Sequence, residues 1–243
     1  MRLSWTVTGL GLLLALTACG QSTAGTLAPQ PAAAPVACPA AEPDGITDWV
    51  AFVQHAGVQY LPNWPRSTVP EHQLGSVVGS VTCRRSTSTR GAGEPVRDGD
   101  AAYLPAGTEL RALTGVDPTL RIAVHVTDGW EVYDAQDVDS ARNGADLLDL
   151  RQVVRVSLVE SQDGTDVVRS LDAAADLARL VAAIRSAPVI PQDAVQQHVR
   201  GPLWFVRFEL AQGPSVQKAW YPDGGILFPR IVAPPVLRDL LKV

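Results

Sequence analysis

The sequence predicts an α+β fold of mainly antiparallel β, with a β-rich N-terminal part followed by a β-α-β-β-α C-terminal part. Three observations predict it. From Ile46 to Ala135, short β-branched runs alternate with Gly, Pro and Asp punctuation, and no long helical period interrupts them. A 3.6-residue period then appears in Leu177, Leu180, Val181 and Ile184, and Pro188 stops it. Strands flank that helix. The clearest is Leu203 to Leu210, with Trp204, Val206, Phe208 and Leu210 on one face and Arg207 and Glu209 on the other.

The elements follow in order. Trp49 to Val53 and Gly57 to Leu61 are short β runs, and Pro62, Pro65 and Pro70 mark the loop after them. Ser76 to Cys83 is a Val-rich strand. Asp98-Gly99-Asp100 turns into Ala101 to Leu104, and Gly107 precedes the strand Glu109 to Leu113. Leu120 to Val126 alternates, and Asp128-Gly129 returns it through Trp130 to Tyr133 as a hairpin. Asp137 to Asp149 is polar and mixed, which places a boundary there. Val153 to Val159 is a strand and Asp163-Gly164 a turn. Ser170 is placed to cap a helix starting near Leu171. Val216 to Tyr221, the Asp223-Gly224-Gly225 turn and Ile226 to Phe228 form a further hairpin. A short helix from Pro235 to Leu241 closes the chain.

The N-terminus carries a different kind of signal. Arg2 supplies a positive flank, Leu10 to Leu16 is an apolar stretch of secretory rather than membrane-spanning length, and small residues Thr17 and Ala18 precede Cys19. Leu16-Thr17-Ala18-Cys19 resembles the lipobox of bacterial lipoproteins. The resemblance implies that residues 1–18 are a lipoprotein signal peptide and that Cys19 is lipidated and becomes the new N-terminus. It also implies an extracytoplasmic site, held to a bacterial membrane through N-terminal lipid. More than one acyl chain is what stable anchoring requires. Gly20 stands where an Asp would act as an inner-membrane retention signal, so the resemblance points to the outer membrane where the organism has one. Residues 19–42, rich in Ala, Pro, Ser and Thr and nearly uncharged, read as a flexible tether. Residues 43–140 read as a β-rich subdomain and 141–243 as an α+β subdomain.

With 243 residues the chain is long enough for one large domain or two small ones. Its net charge of −5 comes without basic runs, which argues against nucleic acid and against a polybasic grip on anionic lipid. Beyond Cys19 two cysteines remain, Cys38 and Cys83. In an oxidising compartment an even pair reads as a disulfide, and neither belongs to a Cys-x-x-Cys. The stretch from Asp98 to Leu110, with Thr114-Gly115 and Leu120-Arg121-Ile122, resembles segments of uncharacterised bacterial secreted proteins and lipoproteins, as does the C-terminal half. Leu104-Pro105-Ala106-Gly107-Thr108 is similar to a turn of bacterial SH3-like modules. None of these resemblances carries a catalytic residue.

Residue patterns for chemistry are sparse. No Gly-x-Ser-x-Gly and no Walker pattern occurs. His55, His72, His125 and His198 are scattered, without metal-ligand spacing. Asp98, Asp100 and Glu109 match three positions of a calcium loop, but Ala102 and Tyr103 occupy positions that need an oxygen ligand and Gly. Asp137 with Asp139, and Asp146 with Asp149, are local pairs in a polar stretch rather than carboxylates facing across a bond. No metal and no cofactor is therefore expected. The enriched set is aromatic: Trp49, Tyr60, Trp64, Trp130, Tyr133, Trp204, Trp220 and Tyr221. Most fall at strand positions and read as core. Trp64, in a Pro-rich loop, and Trp220-Tyr221, beside a Gly-rich turn, are the binding candidates. The expectation is a non-catalytic envelope module that binds a protein or a cell-wall polymer. The alternatives are an envelope hydrolase whose site forms no sequence motif, and a carrier for a small apolar ligand.

Overall fold

A hairpin opens the folded part. β1 (Val53–His55) turns through Ala56 and Gly57 into β2 (Val58–Pro62). Both turn residues lie at positive φ, 50° and 77°, the conformation a two-residue hairpin demands. The structure, a computed structural model, describes residue 38 and residues 49–88, 94–136, 138–160 and 165–242. Cys19, the segment 1–18, the tether apart from Cys38, Asp137 and the Asp163-Gly164 turn lie outside the described residues. The fold is α+β with mainly antiparallel β.

The first sheet continues with β3 (Leu74–Ser80), β4 (Cys83–Arg84), β5 (Asp100–Ala101), β6 (Glu109–Leu113), β7 (Arg121–Val126) and β8 (Gly129–Ala135). Its order is β3-β6-β7-β8-β2-β1-β5-β4. All neighbours are antiparallel except β4 and β5. The run Ser76 to Cys83, read in sequence as one strand, is divided. Its first part pairs with β6 and its end with β5. Only Val81 and Thr82 lie between. The Val81 N–H donates to Thr108 at 2.8 Å, and the Thr82 N–H donates to Gly99 at 2.7 Å. The two edges of the sheet are thus one continuous piece of chain, and the sheet closes into a small barrel. Closure removes the free edges along which strands aggregate.

Alternation then decides which side chains fill the barrel. Val53, Tyr60, Leu110, Ile122, Val124 and Tyr133 form its buried core. Leu113, Ala123 and Val132 share a second cluster with Val69. Residues 62–73 supply that cover. The Val69 N–H donates to Trp130 and the Val132 N–H to Ser67, so the Pro-rich loop lies along β8 as a strap.

Below the barrel's closing strand, Arg85 is fully buried. It bonds Asp100 at 3.1 Å and the carbonyls of Glu94 and Pro95, and its guanidinium lies 5.1 Å from the Trp49 ring centre. Cys38 and Cys83 are joined, S–S 2.09 Å.

The second sheet consists of β9 (Val153–Val159), β10 (Val167–Leu171), β11 (Trp204–Leu210), β12 (Val216–Tyr221), β13 (Ile226–Leu227) and β14 (Ile231–Val232), in the order β10-β9-β11-β12-β13-β14. Three helices accompany it: α1 (Ala174–Ser186), the single turn α2 (Val195–His198) and α3 (Pro235–Leu241). Leu177, Leu180 and Ile184 of α1 and Leu237 and Leu241 of α3 pack with Val156, Leu158, Val206, Phe208 and Trp220 in one core. Ala187 ends α1 in extended backbone, φ −62° and ψ 135°, as the residue before a proline prefers. Pro235 opens α3, where its missing N–H costs nothing.

Three sequence expectations are corrected here. Ser170 does not cap a helix. It lies within β10, and its hydroxyl is 3.0 Å from that of Ser157 across the strand pair. α1 starts later, from Ala173, without a side-chain cap. The stretch before β9 is not simply polar, since Leu147, Leu148 and Leu150 enter the core. Asn143 and Asp146 there form a capping box around one turn of 3-10 helix. Trp220, a binding candidate in the sequence, is only 1% exposed. It shares the parity of Val216 on β12 and falls on the core side.

Candidate functional site

Charged residues on opposing strands build the junction between the sheets. Arg121 and Asp134 are register partners on β7 and β8, and Arg121 Nε donates to Asp134 Oδ1 at 2.7 Å. The rest of the guanidinium crosses to the other sheet, donating to the carbonyls of Pro214 and Ser215 at 2.9 Å each. Lys218 of β12 reaches back to Asp134 Oδ2 at 3.3 Å. Burial alone would push the Asp134 carboxyl up, but Lys218 and Arg121 outweigh it and hold the carboxyl below the usual carboxylate range. A carboxylate so held keeps its charge and is a poor proton acceptor. Its role is to clasp.

Beside this clasp lies a cleft of about 140 Å³. Asn63 and Trp64 come from the strap, Gln217 and Lys218 from β12, and Phe228-Pro229 from the turn after β13. Trp64 is 52% exposed. The Trp64-Pro65 and Phe228-Pro229 peptide bonds are both cis. Asn63 is 2% exposed and Gln217 7%. The Asn63 amide nitrogen donates to the Ser215 carbonyl at 3.0 Å and to Ser67 Oγ at 3.2 Å. The Gln217 carbonyl oxygen accepts from Arg207 Nε at 2.9 Å. Asn63 Oδ1 and Gln217 Nε2 are buried and have no hydrogen-bond partner among the described residues.

Of the sequence-predicted site residues, the cleft gathers Trp64 alone. Tyr221 does not line the cleft, but its ring lies 5.8 Å from that of Phe228, which does. Trp220 is internal. Cys38 and Cys83 are bonded to each other. Sequence reading missed Asn63, Arg121, Asp134, Gln217 and Lys218. A signal existed for Lys218, because it stands between Val216 and Trp220 at core parity on a strand.

Ser215-Val216-Gln217-Lys218 also spells Ser-x-x-Lys, a spacing that puts nucleophile and base together on a helix. Here it lies at the start of a strand, where positions three apart point to opposite faces. Lys218 is moreover committed to Asp134. Among the described residues, no three of His, Cys, Asp and Glu form a metal-holding group. His198 Nδ1 lies 2.8 Å from the Gly224 carbonyl oxygen.

Larger spaces lie elsewhere, and two of them exceed 400 Å³. One of about 420 Å³ lies between the barrel and the β11–β12 loop, with His72, Thr114 and Gln212 in its wall. The other, about 620 Å³, is an open groove between α1 and β9, lined by Val153, Val154, Leu177 and Val181 with Arg185 at its rim. Among the described residues, no helix is long and apolar enough to cross a membrane. Comparison of the chain with protein-family models, curated proteins and solved structures finds no match.

Proposed function

We propose that the chain is a lipid-anchored extracytoplasmic envelope protein whose folded part is a non-catalytic module for binding a cell-wall polymer. The observation that carries the binding reading is Trp64. It is a large aromatic face left half in solvent, at the lip of a cleft where two sheets meet. Indole faces left open in this way suit the apolar faces of sugars and stacked ligand groups. The anchoring reading rests on Leu16-Thr17-Ala18-Cys19. Together they describe a protein held to a membrane at one end and to the wall at the other.

The test is co-sedimentation of the full chain, in detergent, with purified cell-wall sacculi. Binding that survives high salt and is lost in Trp64→Ala is the expected result. Absence of binding overturns the wall polymer as partner and leaves an envelope protein, to be sought by cross-linking.

A further inference from the structure

The two unpartnered amide atoms of the cleft are complementary, and their identities are fixed by their neighbours. The Ser215 carbonyl can only accept, so it is the Asn63 nitrogen that faces it and the Asn63 oxygen that is left over. Arg207 Nε can only donate, so Gln217 presents its oxygen there and its nitrogen is left over. Both residues line one cleft, and behind its surface one holds a spare acceptor and the other a spare donor, each covered from solvent. Leaving buried polar atoms unpaired is costly, and native proteins do so seldom. A group that pairs both atoms at once recovers that cost on binding.

We infer that this cleft takes the acetamido group of an N-acetylated sugar. The acetamido carbonyl accepts from Gln217 Nε2, its N–H donates to Asn63 Oδ1, and the sugar ring lies against Trp64. This rests on the wall-binding reading above and names its ligand class. An acetamido group offers one acceptor and one donor, the complement of the spare pair. The cleft, about 140 Å³, is on the scale of one such group, and the exposed indole at its lip is placed for the sugar ring. Both amide atoms are covered in the free protein, so pairing them requires the cleft to widen on binding. A peptide amide has the same donor and acceptor. The half-exposed Trp64 indole favours a ring.

The experiment is calorimetric titration of the full chain, in detergent, with three probes: a soluble N-acetylglucosamine oligomer, a glucose oligomer of equal length and an N-acetylated dipeptide amide. Binding of the first alone is expected. Gln217→Glu keeps an oxygen for Arg207 but replaces the spare donor with an acceptor. It should stay folded by circular dichroism and bind the acetylated oligomer roughly tenfold more weakly, or not at all. Trp64→Ala should weaken the same titration. Equal binding of the glucose oligomer, preference for the dipeptide, or wild-type affinity in a folded Gln217→Glu each overturns the acetamido assignment. The outcome is separable from that of the wall reading. Sacculi that bind through Trp64 without competition from the acetylated oligomer keep the module and remove this ligand. Sacculi that fail to bind remove the module's partner whatever the oligomer does.

Discussion

Lys218 and Asp134 belong to different sheets and meet at 3.3 Å, with Arg121 completing the pair from the barrel side. Removing the charge of Asp134 leaves two covered cations facing a neutral group. We predict that Asp134→Asn lowers stability by about 3–5 kcal/mol at neutral pH. The native carboxyl is held below its unfolded value, so its contribution is complete above about pH 4 and is lost as pH falls further. Urea unfolding of wild type and variant should therefore differ at pH 7, and the difference should shrink as pH falls below about 4. A constant difference across that range contradicts the assignment.

The alkaline side has its own pair. Burial pushes Tyr60 and Tyr133 up to about 12, with Asp117 adding to the effect at Tyr60 and Glu131 at Tyr133. The folded chain then keeps two phenol protons that the unfolded chain releases from about pH 10. Stability should fall as pH rises from about 10 to 12. In a phenolate absorbance titration, two of the four tyrosines should stay silent until about pH 12 or unfolding. Ionisation of all four near pH 10 with the far-ultraviolet spectrum unchanged is the contrary result.

Reduction should matter to the barrel. The Cys38–Cys83 bond closes a sequence separation of 45, which in the chain-entropy model contributes roughly 4 kcal/mol. Thermal melting of the full chain with and without reductant should show a lower Tm when reduced, and Cys38→Ala should reproduce it. An unchanged Tm in both denies the bridge a structural role.

Gly224 marks a place where backbone touches backbone. A Cβ there would sit 1.5 Å from the His198 carbonyl oxygen, so Gly224→Ala must displace either the turn before β13 or the end of α2. A loss of about 1–3 kcal/mol is expected, measured by denaturant midpoint. No loss means that the turn gives way freely.

The anchor is tested apart from the fold. Cys19→Ala should move the protein from the membrane fraction to the soluble fraction, as loss of acyl chains requires. Persistence in the membrane fraction removes lipid as the tether.

How much of this could be read in advance differs residue by residue. The Arg121–Asp134 pair was missed because an Asp128-Gly129 turn puts Arg121 opposite Gln136, whereas the hairpin turns through Thr127-Asp128 with Gly129 already paired to Val126, a register that brings Asp134 opposite. The helical stripe of α1 and the α3 start at Pro235 were legible because one face of each must be apolar and Pro188 must end the first. Ser170 misled because a serine before an apolar period resembles a cap, while the strand it occupies is decided by pairing with distant β9. Asn63 and Gln217 had no signal at all. Their importance lies in which atom each has left over, and that depends on Ser215, 152 residues from Asn63, and on Arg207 across a strand pair. Spare hydrogen-bonding capacity belongs to the folded arrangement, and no local pattern encodes it.

The Cys38–Cys83 bond also decides where a mechanical load enters. A pull applied anywhere N-terminal to Cys38 passes through sulfur into β4, bypassing β1, β2 and β3. Those strands then carry no tension in series. The load falls on Cys83, whose strand is zipped in parallel to β5 beside the Arg85–Asp100 pair. β4 and β5 pair at only two positions, so the force entering there meets a short ladder whose backing is the buried Arg85–Asp100 pair.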